Sequence, residues 1–506
     1  MSVWSEGYVS DIGYTYGYYP ELNPLRVRLA LLHAGWHVPE VKHACDMGFG
    51  QGISINVHAA ASGVQWLGTD FSPAQVSFAA GLAQSAGTDV RLDEQSFAEY
   101  CARTDLPEVD FIGLHGIWSW VSDVNRQVLV DWCRRTLRPG GVLYLGYNAM
   151  PGWASAAPLQ RLMADRQKAL APPGDSQAAK VEASMAFVDA VMATRPAFSA
   201  ALPEAARKFD ALKPQDRHYL AHEYFNQNWS PMYFSDVATQ LAPAKLQYAC
   251  SARYLDHIDA LNLSAAQHSL LAQIPDPVLR ETTRDFIVNQ QFRKDYWVKG
   301  GRRMSPIEQS EALRQQRVVL AVPRAEVTLQ VTGALGAAQL NEAVYAPLLD
   351  ALADHGARSL GELEQLLAPR GIGFAALMQA VMVLVGQGTL APAQDEAATV
   401  AARPACQRLN QHLMQQARAH ANISTLASPV TGGGVGVSRS AQLMVLAVQQ
   451  GHRDAEACAR QALQMLRSPG DNAAPAANAE QLALLTTQAR QFLARQWPML
   501  QALQVA

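Results

Sequence analysis

The sequence is poor in cysteine, and its few cysteines show no pairing pattern. Six cysteines are scattered over 506 residues, without a Cys-x-x-Cys pair. Closely spaced cysteines would indicate a disulfide framework or a zinc site, so this distribution argues against both. We therefore expect reduced thiols buried in the protein core. The cysteines are Cys45, Cys101, Cys133, Cys250, Cys406 and Cys458.

The sequence also lacks an excess of either charge and a long apolar run. Its formal net charge is −3, whereas nucleic-acid binders normally carry a clear basic excess, so no nucleic-acid partner is expected. No run of about 18 apolar residues is present, so no membrane span is expected. The first residues contain neither the basic segment nor the apolar segment of a signal peptide. These absences predict a cytoplasmic protein.

What the sequence does contain, between residues 41 and 147, is an alternation of short apolar segments and helical patterns. This spacing predicts an α/β fold, in which helices cover both faces of a parallel sheet. Ligands of such sheets bind beyond the carboxyl ends of the strands. The predicted strands are 42–47, 65–70, 90–92, 109–115 and 142–147, and the predicted helices include 25–34, 54–61, 73–85 and 125–137.

A glycine-rich run follows the first predicted strand. Asp46 precedes Gly48, Gly50 and Gly52, which stand at alternate positions. Glycines let the backbone turn sharply and let a ligand approach where a Cβ would block it. An acid two positions ahead of the first glycine suits a ligand that carries an amino group. Because dinucleotide-binding sheets also open with a glycine-rich turn, the run alone leaves the class of ligand open.

Two features narrow the choice of ligand, the run at 137–141 and the glycine spacing, whereas an acid at Asp70 suits dinucleotides and other ribose-containing cofactors alike. Asp70 ends the second predicted strand, where a carboxylate can bind both hydroxyls of a ribose. The run at 137–141, Leu-Arg-Pro-Gly-Gly, stops a helix and turns the chain into the fifth strand. The glycine spacing is Gly-x-Gly-x-Gly, which differs from the Gly-x-Gly-x-x-Gly of a dinucleotide fold. A nicotinamide oxidoreductase stays open as an alternative with little support.

In combination, these elements resemble class I S-adenosylmethionine-dependent methyltransferases over about residues 40–150. The resemblance implies a Rossmann-like sheet, S-adenosyl-L-methionine as the cofactor and methyl transfer as the activity. It also implies that the glycine loop binds the methionine part of the cofactor and that Asp70 binds its ribose. For the adenine wall, within residues 93–97, we favour Ser96 and Phe97. The cofactor-binding residues implied are Asp46, Gly48, Gly50, Gly52, Asp70, Ser96, Phe97 and His115.

Aromatic and polar side chains follow the fourth and fifth predicted strands, where this family places residues that face the methyl acceptor. If the acceptor is a lysine amine, an apolar or aromatic channel would help it lose its proton before attack. No catalytic base is assigned. Packing of the tryptophans between a helical cap and the sheet is the alternative, and it is left open. The acceptor-side candidates are His115, Trp118, Trp120, Asn148, Trp153, Tyr14, Tyr19 and His222.

A metal site is not expected, although His222 opens a His-Glu-Tyr-Phe-Asn run. A zinc-binding helix of the His-Glu-x-x-His type would need a second histidine at position 226, where an asparagine stands. We therefore interpret His222 as a structural residue or as a polar group that lines the cap.

The segments that flank the sheet carry a second resemblance. They are similar to bacterial methyltransferases that carry a methyltransferase regulatory domain, a group that includes lysine methyltransferases of outer-membrane proteins. The resemblance implies a protein acceptor that is methylated at lysine. A small-molecule methyltransferase and a catalytically inactive cofactor-binding scaffold are the alternatives. The runs that carry it are 18–22, 114–122, 147–153, 219–226, 229–234 and 426–430.

Outside the sheet, the sequence predicts a helical insertion and mainly α-helical C-terminal domains. Residues 1–155 are expected to form the cofactor-binding core, and 156–300 a helical cap with the regulatory domain. Within this second region, 245–251 is a candidate for the last strand of the sheet, and a helical stretch is expected up to about residue 297.

The C-terminal half is expected to contain a winged-helix-like domain over 301–400 and a helical domain over 401–506. Two strands are expected near 318–322 and 326–331. Ser359 and Glu362 have the spacing of a capping box before an apolar helix face. A winged helix can bind DNA, but the second helix of this unit carries almost no basic residues. We therefore interpret the unit as a packing or dimerisation module, and a homodimer is an expected assembly.

Overall fold

A sheet of seven strands lies at the centre of the molecule. The computed structural model describes residues 16–172, 174–466 and 475–506, without the side chains of residue 218 and residues 475–478. The strands of the sheet are β1 (His43–Met47), β2 (Gln65–Asp70), β3 (Arg91–Glu94), β4 (Val109–Leu114), β5 (Leu137–Asn148), β6 (Leu246–Ser251) and β7 (Phe292–Lys299). Their order is β3-β2-β1-β4-β5-β7-β6.

The first five strands run parallel, which confirms the predicted α/β class. Every residue of β4 is buried, as expected for a strand that is covered on both faces. The predicted strand at 245–251 is β6, at the edge of the sheet. Strand β7 runs antiparallel to both β5 and β6.

The helix predicted up to residue 297 is wrong at its end, because Phe292–Lys299 forms β7. Three consecutive charged residues, 293–295, hide the strand pattern in the sequence. Arg293 and Asp295 are nevertheless buried, since Arg293 Nε donates a hydrogen bond of 2.7 Å to Asp295 Oδ2. Arg293 Nη1 also donates to Asp285 Oδ1 at 2.6 Å. Such paired charges can occupy a central strand.

Helices cover the parallel part of the sheet, and their caps follow the sequence. Asn23 Oδ1 accepts a hydrogen bond of 2.9 Å from Leu25 N at the start of the first helix, and Pro24 stands at its first position. Ser122 caps the fifth helix in the same way. These helices are α1 (Pro24–His33), α2 (Ile53–Ala61), α3 (Pro73–Ala86), α4 (Phe97–Ala102) and α5 (Asp123–Thr136).

The predicted helical insertion follows β5, and more short helices surround β6. The insertion has an apolar core of its own, which includes Trp153, Met163, Val181 and Phe209. The helices of this region are α6 (Ala157–Leu170), α7 (Gln177–Ala193), α8 (Ala197–Ala201), α9 (Pro203–Leu212), α10 (Arg217–Tyr224), α11 (Phe234–Leu241), α12 (Asp259–Asn262), α13 (Ala265–Ala272) and α14 (Pro277–Val288).

The next region combines helices with short antiparallel strands. Its elements are α15 (Pro306–Arg314), β8 (Arg317–Leu320), β9 (Gln330–Gly333), β10 (Gly336–Gln339), α16 (Glu342–Ala351), β11 (Arg358–Ser359), α17 (Leu360–Leu367), α18 (Phe374–Gly386) and β12 (Leu390–Ala393). The capping box forms, with Glu362 N donating to Ser359 Oγ at 3.1 Å. The two predicted strands do not pair with each other. Instead β8 pairs with β11 and β12, and β9 pairs with β10.

The C-terminal region is mostly helical, as predicted, and it packs on the methyltransferase-like sheet through α2 and α3. A β-hairpin interrupts it, where three consecutive glycines stand in the sequence. Gly432 has a φ of 60° in the turn of this hairpin, which suits glycine. The elements are α19 (Glu396–Gln416), β13 (Thr425–Ser428), β14 (Gly433–Gly436), α20 (Arg439–Gln449), α21 (Ala455–Leu466), α22 (Pro475–Gln491) and α23 (Trp497–Ala502).

Two further findings concern membranes and thiols. Within the described ranges, no single helix has the length and apolarity needed to cross a membrane. One pair of segments, Leu360–Arg370 and Phe374–Gly386, meets both criteria together, with a bend of 119° between them. All six cysteines lie in described segments and are buried, free thiols.

Candidate active site

The glycine loop connects β1 to α2 and forms one wall of a cavity at the carboxyl edge of the sheet. Gly48, Gly50 and Gly52 have φ values of 75°, 59° and 69°, which other residues rarely adopt. A Cβ on Gly52 would lie 2.4 Å from Ala79 Cβ, whereas a Cβ on Gly50 would meet nothing within 4 Å. Gly48 and Gly50 line the cavity, but Gly52 packs against α3.

Asp70, at the end of β2, joins the second strand to the glycine loop. Its Oδ2 accepts a hydrogen bond of 2.9 Å from Gly50 N, and its Oδ1 accepts one of 2.9 Å from Ser72 N. Burial raises the pKa of Asp70 to about 6, although both hydrogen bonds oppose this shift. With its amide nitrogen turned toward Asp70, Gln75 also donates to Oδ1 at 3.0 Å and to Oδ2 at 3.2 Å. Asp70 lines the cavity, and a ligand hydroxyl could replace the Gln75 amide as a donor to this carboxylate.

Asp46, at the end of β1, is a buried carboxylate that does not itself line the cavity, although its charge interacts with that of Asp70, which does. Burial raises the pKa of Asp46 to about 7, and the Asp70 carboxylate acts in the same direction. No hydrogen bond from the described part of the chain opposes the shift. A buried carboxylate without such hydrogen bonds suits a ligand that carries a cationic amino group, because the positive charge would compensate the negative charge of the carboxylate.

The third strand ends at the same edge and contributes Gln95, Ser96 and Phe97 to the cavity wall. Ser96 also caps α4, since its Oγ accepts a hydrogen bond of 3.3 Å from Glu99 N. Asp93 points elsewhere, into ion pairs with Arg91 and Arg103. Within 93–97 the structure thus places the two favoured residues in the cavity.

At the far end of the cavity, Tyr19 and His115 stack with their ring centroids 3.5 Å apart. His115 Nδ1 lies 2.8 Å from the hydroxyl oxygen of Tyr144, a residue of β5. Burial lowers the pKa of His115 to about 3, although the Glu21 carboxylate opposes this shift. The imidazole is therefore neutral at physiological pH. Trp120 completes this end of the cavity, with its ring Nε1 3.4 Å from Glu223 O.

Four other acceptor-side candidates lie outside this cavity. Trp118 is packed in the core below the sheet, and its Nε1 donates to Gln240 Oε1 at 3.1 Å. Asn148 is buried at the end of β5, where its backbone N donates to Ser119 Oγ. Trp153 belongs to the core of the helical insertion, and His222 is buried on α10. Tyr14 lies outside the described residues.

The cavity also contains residues that the sequence analysis did not identify. Gly17 reaches it from the N-terminal segment, and Gln75 from α3. Asn125 and Asn228 contribute amide groups from the start of α5 and from the loop after α10. For Asn125, its position at the start of the helix predicted after the fourth strand was an available signal. For Asn228 no local signal exists, because only the tertiary fold brings its loop to the sheet.

The described residues contain no group of three His, Cys, Asp or Glu side chains arranged to hold a metal ion. His222 instead shares its surroundings with Asn226, whose Nδ2 donates to the His222 backbone oxygen. This contact stays within the end of α10 and involves no other histidine.

Comparison with known proteins identifies the class of protein to which this chain belongs. The family model of the methyltransferase domain matches residues 44–141, and the model described as "Predicted methyltransferase regulatory domain" matches residues 216–299. The seven-stranded sheet and these matches define a class I S-adenosylmethionine-dependent methyltransferase, an enzyme whose cofactor is S-adenosyl-L-methionine. The nicotinamide alternative is thereby excluded.

Relatives extend the match to most of the chain. An uncharacterized protein of Synechocystis is 36% identical over 452 residues, which are 88% of each chain. An uncharacterized protein of Rickettsia prowazekii is 25% identical over 287 residues, 54% of this chain and 49% of that one. The chain belongs to the family of class I methyltransferases that carry a methyltransferase regulatory domain.

Among solved structures, PKMT2 from Rickettsia typhi, in complex with AdoHcy, is similar over 95% of this chain and 98% of its own. The TM-score is 0.66 and the sequence identity 17%. A second solved structure of PKMT2 from Rickettsia typhi gives a TM-score of 0.65, again at 17% sequence identity. At this identity the likeness shows that the two proteins share their fold.

Proposed function

We propose that this methyltransferase transfers methyl groups to lysine side chains of a protein acceptor. The observation that carries the proposal is the charge of the cavity. Among the described residues that line it, Asp70 is the only one with a formal charge, and none is Lys or Arg. An anionic acceptor would need a cationic partner there, whereas a neutral amine would not.

The part of the cavity formed by Tyr19, His115 and Trp120, called the acceptor end below, also favours an amine as the acceptor. A lysine must lose its proton before it can attack, and desolvation against aromatic walls favours the neutral form. Tyr19 and Trp120 supply aromatic walls, and Ile117 supplies an aliphatic one. The imidazole of His115 is stacked on Tyr19 and stays neutral, so it adds no positive charge beside the amine. The resemblance to lysine methyltransferases of outer-membrane proteins also supports this assignment.

For the cofactor we propose contacts that follow from the geometry above. Asp46 would hold the cationic amino group, and Asp70 the ribose hydroxyls. Gly48 and Gly50 would admit the methionine part, Ser96 and Phe97 would border the adenine, and His115 would lie near the reacting end. When bound, the cofactor supplies an electrophilic methyl group on its sulfonium. The protein contributes orientation, which can account for much of the rate.

The experiment is methyl labelling of a bacterial lysate with the purified protein and S-adenosylmethionine that carries an isotopic methyl group. We expect label on lysine side chains of protein, located by mass spectrometry of peptides. A lysate whose lysines are acetylated beforehand should take up little label. The Asp70→Ala variant is the matched control for cofactor-dependent transfer. Label that enters only small molecules would reject the protein acceptor and favour the small-molecule alternative.

The division into domains over 1–155, 156–300, 301–400 and 401–506 is also a proposal. One apolar cluster crosses the proposed boundaries, because residues from α2 and α3 share a core with the C-terminal helices. Limited proteolysis would show which boundaries are cut first. A homodimer is likewise proposed, and light scattering of the purified protein tests it directly.

A further inference from the structure

The N-terminal segment Tyr16–Asn23, called the strap below, forms one wall of the cofactor cavity. Gly17 and Tyr19 both line the cavity. Tyr19 N donates a hydrogen bond of 2.8 Å to Ser54 Oγ on α2, and the Tyr19 ring stacks on His115. The position of the strap therefore determines the shape of the cavity on the side opposite the sheet.

The strap is held from outside by the C-terminal hairpin, Thr425–Gly436. Gly434 N donates a hydrogen bond of 2.7 Å to the hydroxyl of Tyr18, across 416 residues of sequence. Asn23 Nδ2 donates to Thr431 O at 3.0 Å, across 408 residues. The strap thus contacts the same hairpin at Tyr18 and at Asn23. Of the two cavity-lining residues, Gly17 directly precedes the first contact and Tyr19 lies between the two.

The hairpin fits the strap only because it presents glycines. A Cβ on Gly433 would lie 2.6 Å from the Tyr18 hydroxyl and 2.6 Å from Asn23 Nδ2. A Cβ on Gly434 would lie 2.4 Å from Thr425 Cγ2 on the paired strand of the hairpin and 2.9 Å from Tyr18 Cζ. Gly436 belongs to the same strand, but a Cβ there would meet nothing within 4 Å. Within this strand, the close approach to Tyr18 is therefore made by Gly433 and Gly434 and not by Gly436.

The hairpin is itself fixed by the end of the chain. Ser428 Oγ donates to Leu503 O at 2.7 Å, and Asn410 Nδ2 donates to Val505 O at 2.9 Å. The same Asn410 accepts a hydrogen bond of 2.7 Å from Ala427 N. These buried contacts give the hairpin a defined position from which it can hold the strap.

We propose that the C-terminal hairpin positions Gly17 and Tyr19 in the cofactor cavity through Tyr18. Tyr18 and Gly434 are then positioning residues for cofactor binding, although neither lines the cavity. The inference rests on the proposed cofactor site, and it adds a role for the C-terminal region that the methyltransferase sheet alone does not explain. A displaced strap would leave the sheet intact and would change the affinity for the cofactor.

A pair of glycine variants tests the proposal with S-adenosylhomocysteine as the probe, by titration calorimetry on the full chain. Gly434→Ala should weaken binding by about tenfold, because it pushes the strap out of its position. Gly436→Ala makes the same change two residues away and should bind as the wild type does. Below the unfolding temperature, chymotrypsin should cleave the strap at its tyrosines in Gly434→Ala but not in Gly436→Ala.

The outcomes separate this inference from the site assignment. If Gly434→Ala and Gly436→Ala bind the probe equally and resist chymotrypsin equally, the proposal is overturned. If Gly434→Ala does not fold, Tyr18→Phe decides, since it keeps the ring and loses the hydrogen bond to Gly434. Wild-type binding and protection in Tyr18→Phe would then overturn the proposal. Wild-type binding in Asp70→Ala would instead reject the cofactor site.

Discussion

The two ends of the cavity, which we propose as its cofactor end and its acceptor end, are formed by different kinds of chain segments. The cofactor end is made by consecutive strand ends of one sheet, so that Gly48, Asp70 and Ser96 meet within about 50 residues of sequence. The acceptor end joins the strap, the loop after β4 and the loop that carries Asn228. The cofactor end is thus a property of the sheet, whereas the acceptor end depends on how distant segments pack against it.

The two ends also differ in charge. Asp70 lines the cofactor end and interacts through its charge with the buried Asp46, and burial raises the pKa of both carboxylates. The acceptor end contains aromatic rings, amides and a neutral imidazole. This contrast suits a cofactor that carries a cationic amino group and an acceptor that must react as a neutral amine.

The largest expected effect is on stability, and it distinguishes a loop glycine that packs against α3 from a loop glycine that has no close neighbour. Gly52→Ala should lower the free energy of unfolding by about 2–4 kcal/mol, because a left-handed backbone and a clash with Ala79 add together. Gly50→Ala shares the positive φ but meets no neighbour, so a loss of about 1–2 kcal/mol is expected. Urea unfolding without ligand measures both. Equal losses would show that Gly52 is not packed against α3.

The next effect concerns the ribose contact. Asp70→Ala should weaken S-adenosylhomocysteine binding by about 1–3 kcal/mol, the usual cost of removing a buried polar partner. The variant also leaves Gly50 N without its acceptor. Asp93→Ala is the matched control, since Asp93 forms ion pairs with Arg91 and Arg103 outside the cavity. Similar affinities of the two variants would contradict the assignment of Asp70.

The third effect is a pH dependence with opposite signs for stability and for binding. Without ligand, a pKa of Asp46 raised to about 7 stabilises the fold at low pH, and this contribution is lost as the pH rises through 7. A cationic amino group needs the ionised form, so cofactor affinity should rise with pH by up to about tenfold per unit below pH 7.

Asp46→Asn should flatten the pH dependence of binding and lower the affinity at pH 8. The same substitution should raise the unfolding temperature of the ligand-free protein at pH 8, because it removes a buried charge. Calorimetric titrations and thermal unfolding between pH 6 and 8 measure the two signs. An unchanged slope of affinity against pH would show that Asp46 does not hold the amino group.

Sequence reasoning located the sheet because its strands are apolar and its strand ends carry recognisable residues. Local spacing singled out Asp46, Asp70 and the loop glycines as candidates, and the family resemblance implied their roles. It failed for β7, whose buried Arg293 and Asp295 look like surface residues until their partners are known. Among the acceptor candidates it could not distinguish Trp118 from Trp120, since both follow β4 and only packing decides which one faces the cavity.

The smallest expected effect tests that last distinction. Trp120→Phe should lower the rate of methyl transfer several-fold, because the ring lines the cavity, and should cost about 1 kcal/mol of stability through the lost hydrogen bond to Glu223 O. Trp118→Phe removes a hydrogen bond to Gln240 in the core and should cost about 1 kcal/mol of stability at a normal transfer rate. Label transfer into lysate protein and thermal unfolding measure the two effects. If Trp118→Phe slowed transfer and Trp120→Phe did not, the acceptor end would have to lie on the other side of β4.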